Sequence, residues 1–446
     1  MIRIKPFDIV ALLDYRGIQA PNQHGRVKIT ALINSKKEAE YLGMANKTTW
    51  AEVIGIDENQ KETPIFCGVL TVFKIKREAH ECIMELELFT GTILLEGRRH
   101  LRSFQSGNLT YRDAIDTCNR SYEDAKTIMT VGKSDRLPHM MIQYYTSDWS
   151  FLKRLCSFQK SVLVPSAVGP GIKYFFGMPA LSKKAEFHSS AYTIMHDGAL
   201  SYIVKSREWH SIGTKAEFME QKLVIWKVES ELEGGELYHT YYLTRDMEKF
   251  VKETDRYDTA ITGASLMGVV TDVADERVKV RLSEDENSVG SGERWFPFST
   301  IYSSPNGAGW YCMPERGDTV RLYVPDENES DAYVCSAVHE KHGQGIRTNP
   351  DHKIWRNKDG KEIKLTPDMI LLTNNKGNYV KLSDAAGVQI QSNHSVNIKA
   401  GGRIQISSEN AEIEVSATDR IRIRQGESEM LLQDGVKVTG AKINMM

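Results

Sequence analysis

Two histidines with the spacing of metal ligands lie in a polar segment that connects two strand-rich regions. His339 and His342 form an HxxH pair there. A zinc site needs three or four protein ligands in a fixed arrangement, and no third ligand follows this pair in register. The pattern therefore predicts a solvated pair of side chains and no bound metal.

Acidic side chains are numerous, with 59 Asp and Glu, but they are scattered along the chain. A glycosidase needs two carboxyl groups at a defined separation, which the spacing of these residues does not indicate. The motifs HExxH and GxSxG, the phosphate-binding P-loop and the glycine pattern of dinucleotide-binding folds are all absent. We therefore expect no catalytic site and no cofactor.

Six aromatic residues lie within one short segment and could stack nucleic-acid bases. They are Trp295, Phe296, Phe298, Tyr302, Trp310 and Tyr311. The surrounding charge opposes that function, because residues 261–340 hold six Lys and Arg against 14 Asp and Glu, a formal charge of −8. Since an acidic surface repels a phosphate backbone, we expect these aromatics to form core and interface, without a nucleic-acid partner.

The whole chain of 446 residues has an ordinary soluble composition, with 41% apolar residues and a formal charge of −2. No apolar run approaches the roughly 20 residues that cross a bilayer. Lys5, Asp8 and Asp14 interrupt the first strand-like segment, so it does not resemble a secretion signal. The six cysteines include no CxxC pair and predict core thiols in a protein made in a reducing cytoplasm.

The first 260 residues predict two strand-rich domains. Residues 1–105 hold runs of β-branched and aromatic residues, such as WAEVIGI and PIFCGVLTVFKI, which favour a barrel. Residues 106–260 form the second domain, in which residues 110–130 have a helical composition. Ser147 is the predicted N-cap of an amphipathic helix that begins near Asp148.

Residues 261–340 predict a small closed barrel. Its five short strands are MGVVTDV, RVKVRL, RWFPFS, DTVRLYVP and DAYVCSAVH. An acidic, flexible loop, SEDENSVGSGE, separates the second strand from the third. Five short strands with one long loop are typical of an OB fold.

The last predicted domain, residues 353–446, consists almost entirely of short strands, each with two alternating apolar residues. From Val380 onward these pairs return every eight or nine positions, which indicates a stacked repeat. The pairs are Val380/Leu382, Val388/Ile390, Val396/Ile398, Ile404/Ile406, Ile413/Val415 and Ile421/Ile423. One chain cannot enclose a core with so narrow a strip, whereas three copies around a threefold axis bury every strip and pair every strand edge. The alternative is a flat antiparallel sheet with one open face.

The order of these parts resembles the VgrG-type spike of contractile injection systems, which is similar to the fused central hub and spike of T-even phage tails. Local similarities are FCGVLTVF, RSFQ at 102–105 and the segment from Gln143 to Leu155 with its Asp148-Trp149 pair. The OB domain contributes Trp295 and the run GWYCMPERGDTVRLYVP. The motif residues in that run are Gly309, Trp310, Pro314, Gly317 and Asp318.

The resemblance implies hub barrels, an OB barrel and an intertwined trimeric β-helix. It implies a homotrimer that joins tail-tube and baseplate proteins and is driven through a target cell envelope by sheath contraction. The particle would be assembled in the cytoplasm as a phage tail, a tail-like bacteriocin or a type VI-like system. A PAAR-like protein would cap the end at Ile443, Met445 and Met446. The alternative function is a β-helical tailspike that binds or degrades surface polysaccharide.

Overall fold

The computed structural model describes residues 1–46, 48–78, 81–197, 199–245, 256–287, 291–339, 345 and 347–442. Strands hold 46% of the residues and helices 10%, so the predicted mainly β class with some helix is confirmed. The chain divides into two compact units, Met1–Glu340 and Lys341–Met446. None of the helices in the described ranges is long and apolar enough to cross a membrane.

The first unit begins with an antiparallel sheet and one helix. Its elements are β1 (Ile2–Lys5), β2 (Ala11–Gln19), β3 (Arg26–Ile33), α1 (Glu38–Met44), β4 (Trp50–Ile56), β5 (Glu62–Glu78) and β6 (Glu81–Phe89). The strand order is β1-β4-β5-β6-β3-β2. Every second side chain of β3 and β6 is buried, as alternation requires, and Val27, Ile29, Leu86 and Leu88 form part of the core.

A segment with two helices follows. Its elements are β7 (Arg99–Phe104), α2 (Tyr111–Asn119), β8 (Lys126–Met129), β9 (Met141–Ser147), α3 (Asp148–Phe158), β10 (Leu163–Pro165) and β11 (Lys173–Phe176). β7 pairs antiparallel with β9, while β10, β11 and β8 form a small sheet. The helix predicted over residues 110–130 is correct only as far as Asn119. The next residues, RSYED, form a polar turn, and the β-branched Thr127 and Ile128 belong to β8.

The predicted start of the second helix is confirmed. Ser147 caps α3, and its hydroxyl oxygen accepts a hydrogen bond from the backbone N–H of Ser150 at 3.1 Å. The helix is amphipathic as predicted, because Trp149, Leu152 and Cys156 form one buried apolar stripe. The sequence pattern therefore placed this helix and its buried face correctly.

Six further strands complete the hub region. They are β12 (Lys184–Glu186), β13 (Tyr192–Asp197), β14 (Ala199–Ser206), β15 (Lys215–Phe218), β16 (Gln221–Glu233) and β17 (Glu236–Thr244). β16 pairs antiparallel with β2, with Ser230 opposite Gly17, and the sheet continues through β17 and β14 to β13. Strands on both sides of the predicted boundary at residue 105 therefore share one sheet. The two-domain division itself stays a prediction.

A histidine is buried between β16 and β17. His239 Nδ1 lies 2.7 Å from the Ser230 hydroxyl oxygen, and the centroids of the His239 and Trp209 rings are 4.9 Å apart. The Tyr241 ring also lies near it, with ring centroids 6.1 Å apart, and the His210 ring in turn lies 5.6 Å from that of Tyr241. Burial, with a smaller contribution from His210, lowers the pKa of His239 from 6.5 to about 4.

Acid should weaken this part of the fold. Because the His239 pKa is lower in the folded state, stability falls between pH 6.5 and about 4, by at most about 3 kcal/mol. We expect urea unfolding, followed by tryptophan fluorescence, to show this decline, and His239→Phe to remove most of it. His188→Phe, at an exposed position, should keep the wild-type pH dependence. An unchanged pH dependence in His239→Phe would contradict the assignment.

The five predicted strands of the OB domain are present. They are β18 (Ser265–Ala274), β19 (Arg277–Leu282), β20 (Trp295–Pro297), β21 (Thr319–Tyr323) and β22 (Tyr333–Val338). Their order is β20-β19-β18-β21-β22. The backbone N–H of Ser299 donates to Val334 O at 2.7 Å, which brings the two edges of the sheet together. Val278, Phe296 and Val320 lie in the closed interior.

The second unit contains eight strands in its described residues. They are β23 (Lys353–Arg356), β24 (Glu362–Thr366), β25 (Met369–Thr373), β26 (Tyr379–Ser383), β27 (Gly387–Gln391), β28 (Ile421–Gln425), β29 (Ser428–Leu432) and β30 (Val436–Thr439). β23 to β27 form one antiparallel meander and β28 to β30 a second. The alternative prediction of a flat antiparallel sheet therefore matches the strand pairing of the single chain as far as Gln391.

The next three predicted strands are absent from the single chain. All of residues 392–420 are described, and none is in a strand. The prediction of strands at Val396/Ile398, Ile404/Ile406 and Ile413/Val415 is therefore wrong for one chain alone. The alternation is present in the sequence, but a strand also needs a neighbour that pairs with its backbone N–H and C=O groups. This chain supplies no such neighbour along residues 392–420.

Candidate functional site

The first meander of the second unit gathers its apolar side chains on one face. Residues paired across neighbouring strands, and residues two apart in one strand, share a face. The register gives two columns, Ile363–Leu372–Val380–Ile390 and Leu365–Ile370–Leu382–Val388. Lys364, Lys381 and Gln389 lie on the opposite face. The sheet is therefore amphipathic from β24 to β27, with two apolar residues of each strand on this face, although Met369 and Leu371 of β25 lie on the opposite face.

This apolar face is exposed in the single chain. Val380 and Ile421 are half-buried, and the other ten predicted trimer-core residues are between 44% and 75% exposed. Those ten are Leu382, Val388, Ile390, Val396, Ile398, Ile404, Ile406, Ile413, Val415 and Ile423.

The predicted burial of these residues is therefore not present within one chain. Ile398 shows the disagreement most clearly, because it is 75% exposed and belongs to no strand. A strip two residues wide cannot cover itself, so its burial depends on other copies. Burial of Ile398 and of the other core positions in a trimer stays a prediction.

The second unit lacks a core of its own. Across residues 347–442, all of which are described, no apolar side chain is buried. The first unit, in contrast, holds four buried apolar clusters. The two units must therefore be stabilised in different ways.

The sequence pattern missed four members of this face. They are Ile370, Leu372, Met430 and Leu432. In the second meander, Met430 lies opposite Ile423 and Leu432 lies opposite Ile421. Consecutive apolar residues in MILL and MLL hide the alternation, and only the antiparallel register reveals it. The turn residues that precede each run mark where the strand begins, and they are the sequence signal that could have revealed the alternation.

Two features predicted from the sequence include residues outside the described ranges. The predicted tip contacts Ile443, Met445 and Met446 lie outside the described residues, as does His342 of the HxxH pair. Within the described ranges, no group of three His, Cys, Asp or Glu side chains has a metal-binding arrangement.

The cysteine prediction is correct for four of the six thiols. Cys67, Cys82, Cys118 and Cys156 are buried, Cys335 is half-buried and Cys312 is exposed. Burial raises the pKa of Cys67 and Cys156 to about 12. The core expectation is wrong for Cys312, because it lies on the long loop between β20 and β21.

The second half of the OB motif forms a structural turn before β21. Pro314 is buried, and the backbone N–H of Gly317 donates to Val270 O at 2.9 Å. The Val270 N–H in turn donates to Asp318 O at 2.9 Å, while the Asp318 carboxylate accepts from Glu315 N at 2.8 Å. These contacts fix the entry of β21 beside β18.

The aromatic residues of the OB domain divide into two groups. Phe296 is buried in the core, and Lys279 Nζ lies 4.8 Å from the Trp295 ring centroid. Tyr302, Trp310 and Tyr311 are exposed. The expectation of a core role is therefore confirmed for Phe296 and wrong for these three, whose interface role stays a prediction.

The RSFQ motif in β7 joins the OB barrel to the helical segment. Arg102 Nη1 donates to Asp148 Oδ1 at 2.6 Å within the helical segment. Ser103 N donates to Asp285 Oδ1 at 2.9 Å, and Gln105 Nε2 donates to Val280 O at 3.2 Å, both in the OB barrel. Since Asp285 belongs to the acidic loop that the sequence predicted as flexible, the described part of that loop is held against β7.

A buried ion pair makes a second junction between the same regions. Arg154 Nη2 of α3 contacts both carboxylate oxygens of Glu329, at 2.5 and 2.6 Å, and Ile142 N donates to Glu329 Oε1 at 3.1 Å. Burial alone would raise the pKa of Glu329, but His139 and the Arg154 charge lower it overall. The sequence pattern missed this pair because its partners are 175 residues apart.

Comparisons with known proteins agree with this geometry. Residues 266–339 match the type VI secretion system/phage-baseplate injector OB domain. None of the curated protein sequences matches the chain. The Francisella PdpA-VgrG complex in its half-lidded form is 9% identical, with 87% of both chains covered and a TM-score of 0.55. This chain has the fold of a VgrG-type hub and spike.

The predicted resemblance is therefore confirmed. The E. coli protein c3393, a type VI secretion system component described as similar to the T4 bacteriophage tail proteins gp27 and gp5, also shares the VgrG-type fold. It is 13% identical, covers 76% of this chain and 100% of its own, and has a TM-score of 0.53. At such identities the likeness shows the fold alone. A functional proposal therefore has to rest on the exposed apolar face of the second unit and on the contacts that join the OB barrel to the helical segment.

Proposed function

We propose that this chain is a non-catalytic hub and membrane-puncturing spike of a contractile injection system and that it works as a homotrimer. The observation that carries the proposal is the exposed apolar face of the second unit. Full burial of one such aliphatic side chain is worth about 1.5–3 kcal/mol. A face this long, without a core behind it, needs a partner along its whole length.

The partner that fits best is the same face of two other copies. The face is two residues wide in each strand from β24 to β27 and again in β28 to β30, and the apolar pairs in the sequence between these strands have the same spacing. Three such narrow faces can close around one axis as the walls of a prism. Residues 392–420, which form no strand in the single chain, would then find strand partners in the other copies.

The same arrangement suits a puncturing role. A prism in which each strand bonds to a neighbour has no free edge to unravel under load. The first unit, with its own buried cores, would form the hub that contacts tail-tube and baseplate proteins. The particle would be assembled in the cytoplasm and delivered to the envelope of a target cell.

Immunogold electron microscopy tests this function. Antibodies raised against residues 1–339 should label one end of sheathed, tail-like particles purified from cells that make the chain. Labelling of the particle flank, or of surface fibres without a sheath, would contradict the hub and spike role.

The absence of catalysis is a separate prediction. The pure chain should release no soluble fragments from peptidoglycan or from surface polysaccharides, because its apolar face and OB junctions are packing surfaces. Release of reducing sugars is the measurement, with lysozyme as the positive control. Hydrolysis that a single carboxylate substitution abolishes would overturn the prediction and favour the polysaccharide-degrading tailspike.

We also propose that a small PAAR-like tip protein docks at the end of the spike, on Ile443, Met445 and Met446. Methionine packs adaptably at contact surfaces. Deletion of residues 441–446 should leave the oligomer intact but release the tip protein from purified particles, as measured by mass spectrometry. Tip protein retained at wild-type levels would contradict the proposal.

A further inference from the structure

A cleft of about 300 Å³ lies between α2 and β8 of the first unit. The helix and its C-cap contribute Arg112, Asp116 and Arg120 to one wall, and the strand contributes Thr127 and Met129 to the other. The cleft is therefore separate from the apolar face of the second unit and from the junctions with the OB barrel.

The strand that forms one wall of the cleft is the open edge of its sheet. β8 is the last strand in the order β10-β11-β8, and the backbone N–H of Lys126 donates to Ile172 O at 2.8 Å in the ladder with β11. Because the backbone groups of successive residues alternate in direction, those of Thr127 and Met129 point away from β11. No strand in the described ranges pairs with them. The edge can therefore take one more strand.

The helical wall carries a row of three charges. Arg112, Asp116 and Arg120 are four residues apart, so they share one face of α2 in steps of about 6 Å. All three are exposed, and in the described part of the chain none of their side chains forms an ion pair or a hydrogen bond. The wall thus presents a positive, a negative and a positive group that are free to pair with a ligand.

The spacing of this row matches that of an extended peptide. Side chains two residues apart in a strand lie on one face, about 6.6 Å from each other. Positions i, i+2 and i+4 of a strand laid along β8 would therefore face Arg112, Asp116 and Arg120 in turn. The complementary side chains are acidic, basic and acidic, and this pattern is the same in both chain directions.

The opposite face of β8 indicates what lies between the charged positions. The Thr127 hydroxyl oxygen accepts from Asn119 Nδ2 at 2.9 Å, so its side chain faces α2. Ile128 is on the other face and is 58% exposed. Apolar side chains at i+1 and i+3 of an added strand would pack beside Ile128.

We propose that this cleft binds an extended segment of a partner protein with the pattern acidic-apolar-basic-apolar-acidic. The segment would add to β8 as a further strand, with backbone hydrogen bonds to Thr127 and Met129 and with its charges read by α2. Asp116, between the two arginines, disfavours a simple anion such as phosphate. Because all these residues belong to the first unit, the inference does not depend on the proposed trimer.

Fluorescence anisotropy of labelled peptides with the full-length chain tests the charge pattern. Glu-Val-Lys-Val-Glu, flanked by glycines, should bind at least about tenfold more tightly than Lys-Val-Glu-Val-Lys. The variant Arg112→Glu/Asp116→Arg/Arg120→Glu should reverse this preference. Lys183→Glu/Lys184→Glu, at an exposed site, should keep it. Equal binding of the two peptides by the wild-type chain, or a preference that the triple variant leaves unchanged, would overturn the inference.

Methylation of the peptide amides separates strand addition from charge attraction alone and needs only the wild-type chain. An antiparallel strand would direct the amides of its charged residues to β8, and a parallel strand those of its valines. N-methylation of one set should therefore abolish binding of Glu-Val-Lys-Val-Glu, and N-methylation of the other set should preserve it. Unchanged binding of both methylated peptides would refute strand addition, and displacement by inorganic phosphate at peptide-like concentrations would show a simple anion site instead.

Discussion

Replacing Ile406 with aspartate should convert the full-length chain from a trimer into a monomer. Ile406 is 75% exposed in the single chain and belongs to the apolar face. In the trimer its three copies would meet near the axis, so the substitution places three carboxylates in an apolar interior. Burial of each unpaired polar group costs several kcal/mol. Light scattering coupled to size exclusion would report the change in mass.

Gln405→Asp is the matched control. Gln405 is the neighbouring residue, and in the strand predicted for the trimer it would lie on the other face. The same charge should be harmless there, and the variant should remain a trimer. Dissociation by both variants would show that the strip does not face inward, and a trimeric Ile406→Asp would contradict the face assignment.

Removal of the Glu329 carboxylate should destabilise the first unit by about 3–5 kcal/mol, because it leaves the Arg154 guanidinium buried without its partner. The Glu329 side chain is fully buried, and that of Arg154 is 7% exposed. We expect Glu329→Ala to lower the urea midpoint strongly, and Glu329→Gln, which keeps the shape of the side chain, to have a smaller effect.

An exposed pair provides the comparison. Asp272→Ala removes the contact with Arg316, whose side chain is 72% exposed, and should lower the urea midpoint only slightly. Because the pKa of Glu329 is lowered, its contribution should be complete at neutral pH and should decline only as the pH falls below 4.5. Equal effects of Glu329→Ala and Asp272→Ala at pH 7 would show that the buried pair does not join the OB barrel to α3.

Local patterns predicted much of this fold. The Ser147 cap, the buried stripe of α3 and the five OB strands depend on residues close together in sequence, so spacing alone specifies them. The apolar strip also follows from alternation. Extension of α2 to residue 130 failed because a polar turn and a β-branched run override the helical composition after Asn119.

Local patterns could not predict the strand pairings and side-chain contacts that join distant parts of the chain. The pairing of β2 with β16 depends on register between strands about 200 residues apart. The Arg154–Glu329 pair and the contacts of Ser103 with Asp285 involve buried polar groups that have no sequence periodicity. Antiparallel pairing of β26 with β27 belonged only to the alternative prediction, because the strip fits a meander and a prism equally well until the turns are known.

The two units therefore depend on different interactions. The first has buried cores and buried ion pairs within one chain, and the second has an apolar face that is exposed in the single chain. This difference leads to the central claim that three copies associate through residues 363–438. The OB domain match and the VgrG-type fold are consistent with that claim.

Sedimentation equilibrium of the full-length wild-type chain at micromolar concentration tests the claim most directly. One chain has a mass of 50.5 kDa, and we predict a single species of about three times that mass, without a detectable monomer at physiological salt. A stable species at 50.5 kDa, with its second unit still folded, would contradict the trimeric spike.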